Sequence, residues 1–413
     1  MNNNKVESYG YTEFYEEQIE KLNIAEADLI PARVIEVHKE QYKIVTEFGE
    51  KSAKLKSSIF YNGDTNNIYP AVGDFVLVKN NPYGEDIIYV VLERKSKFSR
   101  MDSFNGTEQV IATNFDYVFI MSSLNHDFNI RRMERYITAA WQSGAMPVII
   151  LTKADLCSDY SEYVESIEEI ALGIKIVVVS SLTREGIEDL NEYIKPSKTI
   201  VFLGSSGVGK SSLVNAIAEE EIMKVNNIRE NDSKGRHTTT HRQLVILKAG
   251  AMIIDTPGMR ELGMWNVMEG LDVTFSDIEE FENRCKFRDC NHKSEPGCAV
   301  RKAIESGEIS EERWENYVKL KKEAEFAKRK ESAKSRSELK KGTKKKYKKE
   351  ELNLALDLVE SGWSHSEVSK DTNLNKSIVA REMRKRGNLK AKNQIEQENH
   401  SKNFKIAVDI NAT

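Results

Sequence analysis

The feature that most constrains the fold is a glycine-rich loop set between an apolar run and a helix-forming run. Gly204 to Ser211 reads GSSGVGKS and fits the pattern G-x-x-x-x-G-K-[ST], with TIVFL before it and SSLVNAIAEE after it. Glycines let backbone N–H groups turn inward around phosphate oxygens, and the dipole of the following helix favours the same negative charge. A strand, this loop and a helix in that order predict a nucleotide-binding α/β sheet.

The side chains of this loop are suited to separate parts of phosphate chemistry. Lys210 is predicted to reach the β- and γ-phosphates and is a catalytic candidate, and Ser211 is predicted to give its hydroxyl to Mg²⁺. The predicted nucleotide contacts of the loop are Gly204, Ser205, Ser206, Gly207, Val208, Gly209, Lys210, Ser211 and Ser212.

Two segments further along the chain fit the remaining magnesium and phosphate contacts. DTPGM follows the apolar run MII, and it predicts that Asp255 holds Mg²⁺ through water while the Gly258 amide contacts the γ-phosphate. GRHTTTHR, at 235–242, lies between this segment and the phosphate loop. One threonine of this run, Thr239 or Thr240, is predicted to complete the magnesium shell; the alternative is an ordinary polar loop.

The segment LTKADL, directly after the apolar run MPVII, indicates a guanine-recognition loop. Asp155 can accept hydrogen bonds from both N1 and N2 of guanine, a pair that adenine does not offer, and Lys153 can lie along the base plane. Thr152 stands where such loops usually carry asparagine, so we expect weaker bracing of the loop. After the run IKIVVV, the segment SSL supplies a second base loop. The predicted base contacts are Thr152, Lys153, Ala154, Asp155, Ser180, Ser181 and Leu182.

The order of these elements is rotated relative to that of ordinary GTPases. The base loops precede the phosphate loop, and the HTTT and DTPG segments follow it. Because strand ends assemble such a pocket in space, the old termini can be joined and new ones cut elsewhere without altering it. The segment after DTPG then leads straight into a cysteine-containing region, so nucleotide-dependent motion of that segment can pull on the region directly.

The residue after DTPG bears on hydrolysis. Many GTPases place there a glutamine that orients the attacking water, whereas this chain has Met259, which cannot do so. We therefore expect slow intrinsic hydrolysis. His237 is the catalytic candidate because imidazole can orient water, and His241 is second. The alternative is a loop histidine without a catalytic role.

Three cysteines and one histidine lie within fourteen residues. CKFRDCNHKSEPGC supplies Cys285, Cys290, His292 and Cys298, which suit a closed tetrahedral zinc site without an open catalytic position. We expect a structural zinc ion; the alternative is a chance group of reduced cysteines. Cys157 is expected to be an incidental thiol.

The segments on either side change pattern. The run TEFYEEQIEKLNI predicts one amphipathic helix, and PARVIEVHKEQYKIV then alternates apolar and polar residues among short strand-like runs. These strands predict a small β-barrel, of the oligonucleotide-binding (OB) type or of an SH3-like type. From about 110 to 265, apolar runs alternate with helical segments, which predicts a doubly wound α/β sheet with its ligands at the carboxyl ends of the strands.

Composition narrows the setting of the protein. The 413 residues suggest two to four domains, and 61 Lys+Arg against 65 Asp+Glu give a net charge of −4. Basic residues concentrate at 319–349, which favours a nucleic-acid partner or, alternatively, a solvated charged helix. The sequence contains neither a membrane-spanning run nor a secretory signal pattern, and three clustered cysteines fit a reducing compartment, so we expect a cytoplasmic protein.

Taken together, LTKADL, VSS, GSSGVGKSSL, GRHTTT, DTPGMRELG and C-x4-C-x-H-x5-C resemble the circularly permuted GTPases of the RsgA/YjeQ family, over roughly residues 30 to 330. The resemblance implies an OB-type barrel, a permuted GTPase domain and a zinc-binding helical domain. It also implies late maturation of the small (30S) ribosomal subunit, contact with its 16S rRNA, GTP and GDP as ligands, and hydrolysis stimulated by the subunit. The family's catalytic histidine falls on His237. We expect a monomer.

The chain continues beyond the pattern of this family. ALDLVESGWSHSEVSKDTNLNKSIVAREMRKRG predicts a helix, a turn at Gly362 and an arginine-rich second helix, which resembles a helix-turn-helix. A small protein-contact module is the alternative. Two other functions stay open: a GTP-sensing nucleic-acid-binding regulator that uses this module, and a nucleotide-binding scaffold without turnover.

The predicted fold class is therefore multidomain α/β, with an OB-type barrel, a circularly permuted P-loop GTPase domain, a helical zinc-binding domain and a helical C-terminal extension. The predicted boundaries are 1–29 for an N-terminal helical extension, 30–97 for the barrel, 98–268 for the GTPase domain, 269–335 for the zinc-binding domain, 336–350 for a basic linker, 351–387 for the helix-turn-helix-like module and 388–413 for a disordered tail.

Overall fold

The computed structural model divides the chain into two compact units, Met1–Ser332 and Ala333–Thr413. The structure describes residues 5–22, 28–38, 41–56, 69–101, 108–223, 242–255, 268–342, 349–361, 363–372, 374, 379–380 and 382–383.

Five strands near the N-terminus close into a barrel. They are β1 (Leu29–His38), β2 (Gln41–Thr46), β3 (Gly49–Leu55), β4 (Phe75–Lys79) and β5 (Asp86–Val91). The first half of β1 pairs with β4 and its second half with β2, and β3 pairs with β5 in parallel, so the order β1-β2-β3-β5-β4 returns to β1. Alternate side chains such as Val34, Ile44 and Ile88 fill the interior. The predicted N-terminal barrel is confirmed.

Two helices precede the barrel and pack on it. They are α1 (Lys5–Ser8) and α2 (Glu13–Lys21). Tyr15 of α2 is only 1% exposed and lies against Phe75 of β4, with 4.2 Å between the ring centroids. The predicted amphipathic helix is thus confirmed, and its apolar face is buried against the barrel.

A hairpin that the sequence did not indicate follows the barrel. Its strands are β6 (Lys97–Met101) and β7 (Glu108–Thr113), paired antiparallel. Phe98 stacks on Phe115 with 4.8 Å between ring centroids, and both belong to the hydrophobic core beneath the following sheet. The hairpin therefore packs as part of that core.

The strands that follow form the predicted α/β sheet. They are β8 (Tyr117–Ser123), β9 (Met146–Thr152), β10 (Lys175–Val179), β11 (Thr199–Gly204), β12 (Gln243–Ile246) and β13 (Met252–Asp255). The order is β10-β9-β8-β11-β13-β12, parallel except for β12, which pairs antiparallel with β13. The chain runs outward from β8 to β10 and then returns to place β11 on the other side of β8. The topological switch point therefore lies between β8 and β11.

Helices cover both faces of this sheet. They are α3 (Ile130–Gln142), α4 (Ser161–Glu168) and α5 (Lys210–Ala218). Along β8, Val118 and Ile120 belong to the core with α3 and α4, whereas Phe119 and Met121 belong to the core with α5. This alternation, with both faces buried, confirms the predicted doubly wound arrangement. At the far edge, Gln243 of β12 pairs with Glu36 of β1, which joins sheet and barrel.

Helices form the rest of the first unit, and the last of them continues past Ser332, where that unit ends. They are α6 (Met268–Thr274), α7 (Ser276–Asn283), α8 (Ala299–Ser306) and α9 (Glu311–Gly342). Leu271, Phe275, Ile278, Tyr317 and Leu320 form their shared core. Among the residues described, none of the helices has the length and apolar character needed to cross a bilayer.

The second unit contains α10 (Lys349–Glu360) and α11 (His365–Asp371). A capping box between Ser364 and Glu367 begins α11, and Ala355 and Val368 lie in the core of the unit. Because α11 ends before the arginine-rich stretch and helical conformation resumes at residues 379–380, the predicted single second helix is divided. The predicted turn at Gly362 lies outside the described residues.

Candidate nucleotide site and metal site

The phosphate loop joins β11 to α5 at the topological switch point. Gly207 and Gly209 have φ of +74° and +102°, conformations that side chains with a Cβ rarely adopt. A Cβ on Gly204 would lie 3.0 Å from the carbonyl oxygen of Met121 on β8. The glycines at these three positions therefore permit both the turn of the loop and its close approach to the neighbouring strand.

Lys210 and Asp255 form an ion pair beside this loop. The Nζ of Lys210 lies 2.7 Å from Oδ1 of Asp255, whose side chain is 5% exposed. They meet because β11 and β13 are parallel neighbours, with Val201 opposite Ile254, so both strands end at the same edge. A triphosphate with Mg²⁺ offers each of these charges a new partner: phosphate for the ammonium and the cation for the carboxylate.

The base loop contacts the phosphate loop directly. Thr152, at the end of β9, donates its hydroxyl hydrogen bond to the carbonyl oxygen of Val208 over 2.5 Å, and the Ser122 carbonyl lies 3.4 Å away. Thr152 is 2% exposed. The structure thus shows a hydrogen bond from the Thr152 hydroxyl to the phosphate loop. That threonine stabilises the loop less than asparagine would remains a prediction.

The two predicted base loops also meet. Ser180 donates to Oδ1 of Asp155 over 2.5 Å, and its hydroxyl oxygen accepts from the N–H groups of Leu182 and Thr183. Lys153 begins the turn with φ of +61°. Ser180 thus orients the carboxylate of Asp155 and shapes the second loop at once.

The structure brings most predicted nucleotide residues to one edge of the sheet. Ala154 is buried beneath the base loop, Ser181 is half-buried and Leu182 is exposed. Ser206 is exposed on the phosphate loop, and Ser211 and Ser212 are half-buried in the first turn of α5. The predicted residues that lie outside the described part of the chain are His237, Thr239, Thr240, His241, Gly258 and Met259.

The structure adds a residue that sequence reasoning missed. Ser205 of the phosphate loop donates to Oδ2 of Asp127, which lies in the loop between β8 and α3. The available signal was position: Asp127 follows an apolar strand, where polar side chains reach the ligand edge of such sheets.

The four predicted zinc ligands form a compact cluster. The Sγ of Cys285 lies 3.9 Å from the Sγ of Cys298 and 3.6 Å from Nδ1 of His292, and Cys298 lies 3.5 Å from that nitrogen. Tetrahedral zinc with ordinary bond lengths requires about 3.8 Å between sulfurs and about 3.6 Å between sulfur and nitrogen. All four ligand atoms, including that of Cys290, lie within 4.8 Å of one another. The cluster therefore fits a zinc ion.

Groups around the cluster favour metal binding. The N–H groups of Ala299 and Arg301, at the start of α8, donate to the sulfurs of Cys285 and Cys298 over 3.4 Å. Burial raises the pKa of the Cys285 thiol, but hydrogen bonds from the backbone of Val300 and Ala299 and from the side chains of Cys298 and Cys290 together lower it below its ordinary value. This favours the metal-binding thiolate at Cys285, whereas burial raises the pKa of Cys290 to about 11 before any metal is bound.

The other ring nitrogen of the histidine has its own partner. Nε2 of His292 lies 3.4 Å from Oε1 of Glu282, and the other carboxylate oxygen, Oε2, accepts a hydrogen bond from the Tyr317 hydroxyl over 2.9 Å. Burial, with the nearby Glu282 charge, raises the pKa of Tyr317, so its hydroxyl stays a donor. A carboxylate behind a ligating histidine fixes the orientation of the ring.

Comparisons with known proteins agree with this geometry. The family model described as RsgA GTPase matches residues 91–265. A model described as ABC transporter matches residues 187–352, a range that also contains the phosphate loop, a feature shared with ATPases. The small ribosomal subunit biogenesis GTPase RsgA 1 of Listeria innocua serovar 6a is 49% identical over 327 residues, or 79% of this chain and 91% of that protein.

Two solved structures are also similar. YjeQ from Thermotoga maritima matches with a TM-score of 0.54 and 30% identity, covering 72% of this chain and 98% of that one. YloQ, described as a circularly permuted GTPase, matches with a TM-score of 0.52 and 27% identity, covering 73% of this chain and 97% of that one.

Proposed function

Because this chain belongs to the RsgA GTPase family, as its motif order predicted, we propose that it binds the small ribosomal subunit and couples GTP hydrolysis to late maturation of that subunit. The subunit stimulates the hydrolysis. The observation that carries the proposal is the contact between Thr152 and Val208, which joins the predicted guanine loop to the phosphate loop across 56 positions of sequence.

Guanine selection is assigned to Asp155, held by Ser180, and triphosphate binding to the loop from Gly204 to Lys210. Lys210 exchanges its contact with Asp255 for the phosphates and stabilises the charge that develops during transfer. The chain's candidates to hold Mg²⁺ are Ser211 and Asp255, together with Thr239 or Thr240; when bound, the ion neutralises charge on the β- and γ-phosphates.

Orientation of the attacking water is assigned to His237, and sensing of the γ-phosphate to the Gly258 amide. Both assignments follow from the motifs HTTT and DTPG. Because Met259 cannot position water, we expect intrinsic turnover to be slow and the ribosomal partner to complete the site.

Contact with 16S rRNA is assigned to the barrel and to the zinc-bearing helices, by which we mean α6 to α9 together with the loop of proposed zinc ligands between α7 and α8. Two exposed aromatic side chains on the barrel support this: Phe48 follows β2 and is 64% exposed, and Tyr83 lies between β4 and β5 and is 99% exposed. Exposed aromatic rings provide stacking surfaces for unpaired bases. The zinc ion would be structural, held by Cys285, Cys290, His292 and Cys298. We propose a cytoplasmic monomer.

The boundaries predicted for the seven segments, from the N-terminal extension to the C-terminal tail, remain part of this proposal. The regulator that reads DNA through the C-terminal module is not favoured, because the relatives are named for ribosomal subunit biogenesis.

The decisive experiment is release of inorganic phosphate from GTP with and without purified small subunits. Wild-type protein should turn over slowly alone and much faster with subunits, and K210A should lose at least about 100-fold of the stimulated rate. Lys248, an exposed lysine paired with Glu220, provides the matched control K248A, which should keep full activity. Equal binding of ATP and GTP, or no effect of subunits, would refute the proposal.

A further inference from the structure

Asp127 is held in place beside the phosphate loop from several sides. Its Oδ2 accepts from Ser205 and lies 3.0 Å from Nη2 of Arg132, and its own N–H donates to Asn125 over 3.0 Å. A carboxylate near a triphosphate repels it unless a positive charge offsets it. Arg132 supplies that charge, so Asp127 can fix Ser205 without leaving an uncompensated negative charge beside the phosphates.

The helix that begins just after Asp127 is joined to the zinc-bearing helices. Glu134 of α3 is 1% exposed, and its Oε1 lies 2.5 Å from Nη1 of Arg313 on α9. Asn316 of α9 donates to the other oxygen of Glu134, and Arg313 also pairs with Asp277 of α7 over 2.8 Å. A buried network of this kind holds α3 and α9 in one relative position. Any movement that left one of its charged or polar groups unpaired would carry a desolvation cost.

Two further ion pairs, nearer the surface, extend the same joint along the helix. Arg131 lies 2.9 Å from Glu312, and Arg135 lies 2.9 Å from Glu323, so successive turns of α3 face α9 with charges of opposite sign. Only about 6 Å of helix separates Ile130 from Glu134. Asp127 lies in the loop just before α3 and is tied to it by Arg132, so the anchor at the phosphate loop and the joint to α9 are linked through the first turns of this helix.

We propose that α3 couples the phosphate loop to the zinc-bearing helices, with Asp127 as a positioning residue at one end and the Glu134–Arg313 pair as the joint at the other. Docking of those helices on a ribosomal partner then shifts α3 and alters how Ser205 and its loop hold the γ-phosphate end of GTP. The inference rests on the proposed GTPase function. This coupling through α3 would act in addition to the segment after DTPG, which connects the GTPase domain to the cysteine-containing region along the chain.

The first test concerns Asp127 and uses the full-length protein. D127A removes the acceptor of the Ser205 hydroxyl, whereas D127N keeps an oxygen in that place. D127A should lower kcat/KM for GTP by roughly 10-fold to 100-fold, with most of the loss in kcat, because misplacement of a positioning group has effects of this size. D127N should recover most of the rate. D189N, at an exposed aspartate, is the control and should match wild type.

The second test concerns the joint. E134Q should leave basal hydrolysis and GTP affinity unchanged but lower the stimulation by small subunits at least about fivefold, the lower end of typical coupling between sites. E305Q, in an exposed pair on α8, is the control and should keep full stimulation. R313K changes the other side of the pair but keeps its positive charge, so it should lose less of the stimulation than E134Q. A loss in both variants would not be explained by misfolding of E134Q alone.

The double variant D127A/E134Q decides whether the two ends act together. If they are coupled, the loss of kcat/KM measured with small subunits is smaller in the double variant than the product of the two single losses. Strictly multiplicative losses, or full stimulation in E134Q and R313K, would overturn the inference while leaving GTP hydrolysis by the wild type intact. Absence of any GTP binding or subunit stimulation in the wild type would instead refute the proposed function.

Discussion

The nucleotide site and the cysteine cluster are built in opposite ways. The nucleotide site gathers Ser122, Thr152, Val208 and Asp255 from four different strand ends or loops, so it exists only where the sheet places them. The cysteine cluster draws all four ligands from residues 285–298. The nucleotide site therefore depends on the order of the strands in the sheet, whereas the cysteine cluster depends on one short segment and on the zinc ion proposed for it.

This difference explains why permutation leaves the nucleotide site intact. A site made at strand ends depends on which strands are neighbours, and β8, β11 and β13 are neighbours whatever their order along the chain. A local cluster has no such freedom, because its ligands must stay at fixed spacing. Each site should therefore keep its affinity for its own ligand when the other is perturbed, whereas the joint through α3 concerns stimulation by the subunit.

Removal of the metal should have the largest effect and should be confined to the local site. Chelation, or C290S, should unfold the loop and loosen α8, because structural zinc contributes about 10–16 kcal/mol of apparent free energy in small zinc domains. GTP affinity should stay within about twofold, because the four cysteine and histidine ligands and the nucleotide contacts come from different parts of the chain. Limited proteolysis and binding of a fluorescent GTP analogue measure the two effects.

C157S is the matched control for this experiment, since Cys157 is a cysteine outside the cluster. It should retain both zinc and proteolytic resistance. Loss of GTP binding on chelation would show that the nucleotide site depends on the metal, which would contradict the separation of the two sites.

Loss of the Thr152 hydroxyl should have a smaller effect than loss of the metal, and it should affect the nucleotide site instead of the cysteine cluster. T152V removes the donor to the Val208 carbonyl and leaves a buried acceptor unsatisfied, at a cost of about 1–3 kcal/mol. GTP affinity should fall while zinc content stays unchanged. T152S keeps the hydroxyl and should bind GTP nearly as tightly as wild type. Equal affinity of T152V and wild type would show that this contact does not support nucleotide binding.

The same contrast decides what the sequence could predict. The four residues from Cys285 to Cys298 and the loop from Gly204 to Ser211 are local patterns. The structure brings the four side chains together and sets the loop between β11 and α5, while their roles as zinc ligands and phosphate contacts stay predictions. The strands before each loop were predicted from apolar runs. The partnership of Lys210 with Asp255 and the role of Thr152 toward Val208 arise from strand order, which no local pattern encodes.

Tertiary packing also accounts for the features that were missed. The hairpin of β6 and β7 is short and mixed in polarity, and it is stabilised by contacts such as Phe98 on Phe115 rather than by its own pattern. Asp127 carries no motif, and its significance appears only through Ser205.

The capping box of α11 provides the smallest effect and the most local test. Hydrogen bonds from Ser364, side chain first and backbone second, lower the pKa of Glu367. A lowered pKa means that its contribution is present above the ordinary value of about 4.3 and is lost as pH falls through the lower folded value. E367Q keeps the hydrogen bonds of the box but removes the charge near the helix N-terminus.

At pH 7, amide exchange of residues 365–371 should therefore be about two- to fivefold faster in E367Q than in wild type. As pH falls below about 4.3, the difference should shrink, because wild-type Glu367 then loses its charge as well. Hydrogen-exchange mass spectrometry of both proteins at matched pH measures this, since intrinsic exchange rates cancel. Equal exchange at pH 7 would show that the box stabilises α11 through its hydrogen bonds alone. GTP binding should be the same in E367Q and wild type. The capping box is formed by Ser364 and Glu367 within one short segment, so it does not depend on the sheet that assembles the nucleotide site.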